Sequence, residues 1–217
     1  RRVQDAWKTV DAVRQLAVSS AVLSALQQLF GREPLPFQTL NFPVGTRQRS
    51  HSDTVHFNSI PSGFMVGVWV ALEDIDEANG PLEYYPGSHK LAEYSMQDFN
   101  LEVGYSNYHK YEECIDNLIK EQGLVSELGL VKRGEAIIWH PNLLHGGAQQ
   151  LDPMRTRHSQ VTHYFFSGCQ YITPMEGSKE RPSYRKPLWI PKTSEELQSL
   201  SEISVLKKIH QLVRKVF

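Results

Sequence analysis

The sequence predicts one mainly β domain of the barrel or sandwich type, with helices layered at its N-terminal end and a helix closing its C-terminal end. After Phe37, short apolar stretches alternate with Gly, Pro and Asn at the intervals expected of strands. Before Phe37 and after Ser194, apolar residues recur at helical spacing instead. A length of 217 residues, 40% of them apolar, suffices for one sizeable core and demands no second domain, so 1–217 is read as a single unit.

From Gln4 to Phe30 the positions Val10, Val13, Leu16, Ala17, Ala21, Leu23, Leu26, Leu29 and Phe30 form an apolar stripe, and Gly31 closes it before Pro34. One or two helices over 1–33 follow. The strand candidates are Phe37 to Phe42, Thr54 to Phe57, Phe64 to Leu72, Pro81 to Tyr85, Leu130 to Trp139 and Ser159 to Phe166, which makes 37–90 and 130–170 the β core. The stretch 91–129 is too long for a hairpin loop and too polar for a core strand. With a helical run near Tyr111 to Glu121, it reads as an insertion or lid. Over 194–217, Ser194, Glu195 and Glu196 suit a helix N-terminus, and Leu197, Leu200, Ile203, Leu206, Ile209 and Leu212 continue an apolar stripe.

Composition narrows the partners. With 23 Lys and Arg against 24 Asp and Glu, the formal charge is -1, so no global field is available to hold a nucleic acid or an anionic membrane. Cys114 and Cys169 stand far apart in no metal-ligand spacing, which fits a reducing compartment and points to the cytoplasm. No apolar run reaches spanning length. The chain opens on Arg1 rather than Met, so whether its N-terminus is complete stays open, as does its oligomeric state.

The chemistry concentrates in two places. His51-Ser52-Asp53 offers an imidazole and a carboxylate two residues apart, which on an extended strand share one face. Far downstream, Gly134-Glu-Ala-Ile-Ile-Trp-His-Pro-Asn-Leu-Leu-His145-Gly-Gly ends a strand with a second imidazole, beside glycines that let the backbone crowd a site. Two neutral imidazoles and one carboxylate on one face of a metal leave adjacent coordination positions open, the arrangement suited to a non-haem Fe(II) that activates O2. His140 competes with His145 on spacing alone. Near the end of the β core, Arg157 and Ser159 share a face that Val161, His163 and Phe165 continue, so a guanidinium and a hydroxyl can hold a carboxylate. Arg155 is the alternative anchor.

Together with Val68-Trp-Val-Ala-Leu-Glu-Asp-Ile-Asp-Glu-Ala-Asn-Gly80-Pro-Leu, Pro86-Gly-Ser-His-Lys90 and Arg157-His-Ser159-Gln-Val-Thr-His-Tyr-Phe165, these motifs resemble, in order and over nearly the whole chain, the phytanoyl-CoA dioxygenase family of Fe(II) and 2-oxoglutarate dependent oxygenases. The resemblance implies a double-stranded β-helix, the cupin-like jelly roll. It also implies Fe(II), 2-oxoglutarate and O2 as reactants, a small-molecule substrate, and release of succinate and CO2. Carried over residue by residue, it makes His51, Asp53 and His145 the iron ligands and Arg157, with Ser159, the anchor of the distal carboxylate of 2-oxoglutarate. Gln38 and Trp69 resemble family positions near that cosubstrate. Pro86 to Lys90 reads as a tight turn, with His89 outside the ligand set. Related halogenases replace the acidic ligand by a small residue, whereas this chain keeps Asp53, so hydroxylation or a related oxidation is expected. The rivals are a cupin-like metal enzyme that does not use 2-oxoglutarate and a non-catalytic jelly-roll binding module. Tyr84, Tyr94, Tyr105, Tyr108, Tyr111 and Trp139 are candidate pocket walls, and no sequence feature identifies the substrate.

Overall fold

In the computed structural model, which describes residues 2–200, the strands in chain order are β1 (Val3–Gln4), β2 (Pro34–Phe42), β3 (Asn58–Ile60), β4 (Met65–Ala71), β5 (Leu82–Tyr84), β6 (Glu127–Gly129), β7 (Ala136–Trp139), β8 (His145–Gly147), β9 (Ser159–Phe166) and β10 (Gln170–Ile172). The helices are α1 (Asp11–Ala17), α2 (Ser20–Phe30) and α3 (Tyr108–Glu121), and residues 194–200 are also helical. A five-stranded sheet runs β1-β2-β9-β4-β7, a three-stranded sheet runs β6-β5-β8, and β10 pairs with β3. Every pairing is antiparallel. The larger sheet faces the three-stranded one across a shared core of Leu40, Phe42, Trp69, Trp139 and Val161 with Leu82 of β5, giving the expected jelly roll.

The interior strands β9 and β4 of the larger sheet are buried on both faces, which explains their sequences. β4 reads Met-Val-Gly-Val-Trp-Val-Ala with every residue buried, because alternation of apolar and polar side chains survives only where one face meets water. One face looks into the barrel. The other, made of Val66, Val68, Val70, Tyr164 and Phe166, receives Leu23, Leu26 and Phe30 from α2. Those helical positions share a face at their spacing, and Gly31 ends α2 in the left-handed region at φ 66. Leu26 is fully buried and contributes about 1.5–3 kcal/mol by removing its side chain from water. Tyr164 Oη donates to the Ala17 carbonyl at 2.7 Å and Gln160 Nε2 to that of Val13 at 3.0 Å, pinning α1 to the back of the sheet.

The stretch expected as an insertion, 91–129, is not all outside the barrel: Glu127–Gly129 is β6 and pairs with β5, and the residues before it pack beside the barrel. The helix α3 turns Tyr111, Ile115, Leu118 and Ile119 onto a second core that includes Val55, Met96, Leu144 and Met175. The spacing of those positions is that of one helical face, and the opposite face carries Lys110, Glu113 and Lys120. No helix among the described residues is long and apolar enough to cross a membrane.

Two strand expectations change. Leu130 to Trp139 is a strand only from Ala136, because Gly134 turns the chain at φ 88 and the Glu135 N–H closes a turn on the Lys132 carbonyl. Thr54 to Phe57 is not a strand: Asp53–Val55 is a 3-10 turn. The Ser52 hydroxyl accepts the Thr54 N–H at 3.2 Å, and the Asp53 carbonyl accepts the N–H groups of His56 and Phe57, so local hydrogen bonding outweighs the β preference of Thr54 and Val55. His51 and Asp53 therefore do not alternate along one strand. At the C-terminal end, the helix begins at Ser194 as expected, and the residue before it caps it. The Thr193 hydroxyl accepts the Glu196 N–H at 3.1 Å while the Glu196 carboxylate reaches back to the Thr193 N–H at 3.3 Å, a reciprocal cap. The stripe expected from Ile203 onward lies outside the described residues.

Gly67 of β4 stands directly opposite Trp139 of β7, and a Cβ at Gly67 would overlap the Trp139 indole. The glycine lets that ring lie across the sheet. Gly67→Ala is expected to destabilise the protein by about 1–3 kcal/mol through overpacking. Urea unfolding followed by tryptophan fluorescence measures it, and wild-type stability in the variant would show that the indole can move aside.

Candidate metal centre and its pocket

His51 and His145 are cross-strand partners. Each donates its backbone N–H to the other's carbonyl, at 2.9 and 3.0 Å, as an isolated antiparallel bridge that brings the ring centroids to 4.5 Å. Their side chains are oriented alike. Nδ1 of His51 lies 2.9 Å from the Arg49 carbonyl and Nδ1 of His145 lies 2.9 Å from the Leu143 carbonyl. A carbonyl oxygen only accepts, so Nδ1 carries the proton on both rings and each Nε2 presents a lone pair. Both Nε2 atoms face Asp53, at 3.8 Å from Oδ1 for His51 and 4.0 Å from Oδ2 for His145. The three side chains are buried, and one donor atom from each lies within 4.8 Å of the others. Such a set can hold a divalent cation.

Asp53 is 4% exposed. Burial alone would raise its pKa, but the imidazoles of His145, His163 and His51 and the Trp139 N–H hold it below the usual carboxylate range. Trp139 Nε1 donates to Asp53 Oδ2 at 2.8 Å, so the indole accommodated by Gly67 also fixes the carboxylate. His51 is pushed down, first by burial and then by His145, which keeps its ring neutral and its lone pair available.

Sequence reading did not single out His163 as a site residue. It stands on β9 opposite Gln38 of β2, with Nδ1 3.0 Å from Gln38 Oε1 and Nε2 3.8 Å from Asp53 Oδ2. Burial lowers its pKa to about 4. Its position two residues after Val161 on the inward face was the available signal. Trp139 as partner of Asp53 and Gln48, whose Nε2 lies 3.2 Å from Nε2 of His51, carried no comparable sequence mark. His140 lies elsewhere, beside His89 at 6.0 Å between ring centroids, and accepts the Asn142 N–H.

Arg157 precedes β9, its backbone N–H bound to the Pro43 carbonyl at 2.9 Å. Its guanidinium lies 5.3 Å from the Phe42 ring and 5.4 Å from Trp69. The side chain is 4% exposed, and no carboxylate among the described residues lies within ion-pair distance. Burial lowers its pKa to about 10, so it remains a cation at neutral pH. Arg157 Nε, Ser159 Oγ and Trp69 Nε1 are all buried without a hydrogen-bond partner. Arg155, the alternative anchor, is instead on the surface, paired with Asp76 at 3.0 Å.

One cavity of about 620 Å³ joins these groups; Gln38, His51, Asp53, Trp69, His145 and Arg157 all line it. Ser159 lies on the same inward face of β9 as Val161 and His163, which also line it. The cavity thus combines a cluster of metal donors with a buried, unpaired guanidinium.

Comparison with known proteins agrees with this architecture. Phytanoyl-CoA dioxygenase, peroxisomal, of Rattus norvegicus is 33% identical over 140 residues, 62% of this chain and 38% of that protein, so the chain matches well under half the length of this relative. Among solved structures, the non-heme alpha ketoglutarate dependent carbocyclase SnoK from nogalamycin biosynthesis superposes with a TM-score of 0.65 at 20% identity, over 86% of this chain and 72% of that one. EctD from S. alaskensis with 2-oxoglutarate and 5-hydroxyectoine gives 0.61 at 23% identity, over 86% and 64%. At these identities the structural likeness establishes the fold. Since the sequence model of the phytanoyl-CoA dioxygenase (PhyH) family matches residues 2–158, most of its length, the chain belongs to that family.

Proposed function

We propose that this protein is an Fe(II)- and 2-oxoglutarate-dependent dioxygenase that hydroxylates, or otherwise oxidises, a C–H bond of a small organic substrate. The observation that carries the reading is the pairing, in one cavity, of the His51, Asp53 and His145 donors with the uncompensated Arg157 guanidinium. A donor cluster alone is equally a site for a cupin-like enzyme that uses a metal by itself. A buried cation without a counter-ion is costly unless an anion joins it, and 2-oxoglutarate brings such an anion at the end away from its keto acid. Arg157 and Ser159 would take that distal carboxylate, with Trp69 and Gln38 beside it.

Bound Fe(II) and 2-oxoglutarate supply the oxidising power drawn from O2, one oxygen atom going to the substrate as hydroxyl and the other to succinate as the keto acid loses CO2. The chain's own contribution is orientation and exclusion of water. The bonds from Nδ1 to Arg49 and Leu143 hold both imidazoles with Nε2 toward the centre. Trp139 holds the carboxylate, and the shared backbone bridge sets the spacing of the two rings. No protein nucleophile is required. The free cysteines Cys114 and Cys169 support a reducing compartment, which we read as the cytoplasm.

Anaerobic titration of the protein with Fe(II) and 2-oxoglutarate is expected to produce the weak visible charge-transfer band of their chelate, and His145→Ala to abolish it. A folded wild-type protein without that band would refute the reading. Arg157→Ala is expected to retain Fe(II) while weakening 2-oxoglutarate by about 2–5 kcal/mol, the usual cost of truncating a buried charged partner. Unchanged 2-oxoglutarate affinity in that variant would place the anchor elsewhere. Trp139→Phe, which keeps the ring but removes the bond to Asp53, is expected to lower Fe(II) affinity by about 10–100-fold in the same titration; wild-type affinity would show that the indole only packs.

A further inference from the structure

The same cavity contains a second guanidinium. Arg185 is half-buried, and its guanidinium lies over the rings of Phe57 at 4.8 Å, Phe37 at 5.2 Å and Phe165 at 5.9 Å. It lines the cavity, yet no carboxylate among the described residues lies within ion-pair distance and its side chain makes no hydrogen bond. Glu176 and Tyr105 act on it only from farther away. Burial pulls its pKa below the ordinary value, and it in turn disfavours a proton on His163.

Its place along the sheet separates it from Arg157. Arg157 is supported by Phe42 and Trp69, at the end of the inward face where β9 begins with Ser159. Arg185 is supported by Phe37 and Phe165, near the opposite ends of β2 and β9. From Ser159 to Phe165 the strand extends about 20 Å at about 3.3 Å per residue. His163, which faces Asp53, lies between them. The two guanidinium groups rest on different sets of rings, and with Arg157 assigned to the cosubstrate, Arg185 is open to an anion of its own.

We propose that Arg185 is the substrate's anchor and that the substrate is a carboxylic acid with an apolar or aromatic body. The inference rests on the function proposed above. A guanidinium whose faces are covered by aromatic rings offers its in-plane N–H edge, and that edge matches a planar carboxylate bidentately. Around it the lining includes the aromatic rings of Phe57, Tyr105 and Tyr108, interspersed with the polar side chains of Gln48, His56 and Thr173. The Tyr108 hydroxyl is buried at the cavity beside Gln48, where the two can together meet a polar group on the substrate's body. Lys186, next to Arg185 in the chain, also lines the cavity, as does the acidic Glu176. A carboxylate held there directs the body of the acid toward Asp53 and exposes a carbon away from the acid group to oxidation.

The test is calorimetric binding of a panel of aliphatic and aryl monocarboxylic acids, each paired with its primary amide, in excess 2-oxoglutarate, anaerobically, with and without Fe(II). Wild-type protein is expected to prefer at least one acid over its amide by about tenfold or more, the scale of a charge-assisted pair. Arg185→Met, which keeps an apolar stem on the phenylalanine rings, is expected to lose that preference, Arg185→Lys to keep part of it, and Arg155→Gln, on the surface outside the cavity, to keep it all. Thermal unfolding of each variant shows whether it is folded. Retention of the preference in folded Arg185→Met, or no preference for any acid in the wild type, would overturn the proposal. Failure of the underlying function appears separately, as absence of the Fe(II) and 2-oxoglutarate band, because acid binding is read here without turnover.

Discussion

The desolvated carboxylate of Asp53 is the constraint around which the inner barrel is arranged. An ionised carboxylate taken out of water is unstable unless hydrogen bonds and positive or polarisable neighbours replace its hydration. Trp139 supplies the one direct hydrogen bond, while His51, His145 and His163 surround the carboxylate at 3.8–4.0 Å, too far for hydrogen bonds. The gap between the donors is as informative as their closeness. Each imidazole proton of His51 and His145 is already committed to a backbone carbonyl, so neither ring can turn Nε2 into a donor for Asp53 without giving up that bond. The cluster lacks positive charge at its centre, and a divalent cation is the species that supplies it.

The sheet behind this cluster must satisfy two demands with one set of strands. Odd-numbered positions of β9 from Ser159 to Phe165 face the cavity, and the intervening Gln160, Thr162, Tyr164 and Phe166 are consumed by the contacts of α1 and α2 on the other face. A slip of one residue in register would send the whole cavity face outward. The N-terminal helices therefore do more than cover a sheet: by burying one alternate set of side chains they fix which set reaches the site. Gly67 carries the same logic to β4, where a missing side chain is what gives Trp139 its path to Asp53.

How far all this was legible in the sequence depended on whether the determining contact was local. The span Ser159 to Phe166 and the two N-terminal helices follow from periodicity and from Gly31, and the structure has them there. The donor residues His51, Asp53 and His145 were visible as residue types in ordered motifs, and the structure brings them together. The path between His51 and Asp53 was not legible, because Thr54 and Val55 favour a strand by type and only the Ser52 hydroxyl decides for a turn. Arg155 and Arg157 are equivalent as sequence neighbours; burial against Phe42 and Trp69 separates them, and that depends on three strands meeting. Arg185 had no signal at all. It lies in an aperiodic stretch, and its significance comes from the rings of Phe37, Phe57 and Phe165, contributed by distant segments.

The wall opposite the sheet is built on different terms. Tyr108 opens α3 and lines the cavity, and Tyr111, one turn later, is fully buried in the second core with Ile115 and Leu118. The helix is thus anchored by side chains that do not touch the metal donors, while its first turn and the preceding Tyr105 present groups to the cavity. His51 and His145, by contrast, are tied to each other through the backbone, and Asp53 through the turn capped by Ser52. The two are nevertheless joined: the second core includes Val55 of the Asp53 turn and Leu144 beside His145, and the rings of Tyr105 and Tyr108 lie near that of His56, whose N–H is bound by the Asp53 carbonyl. The helix that presents groups to the cavity thus also packs against the segments that position the donors.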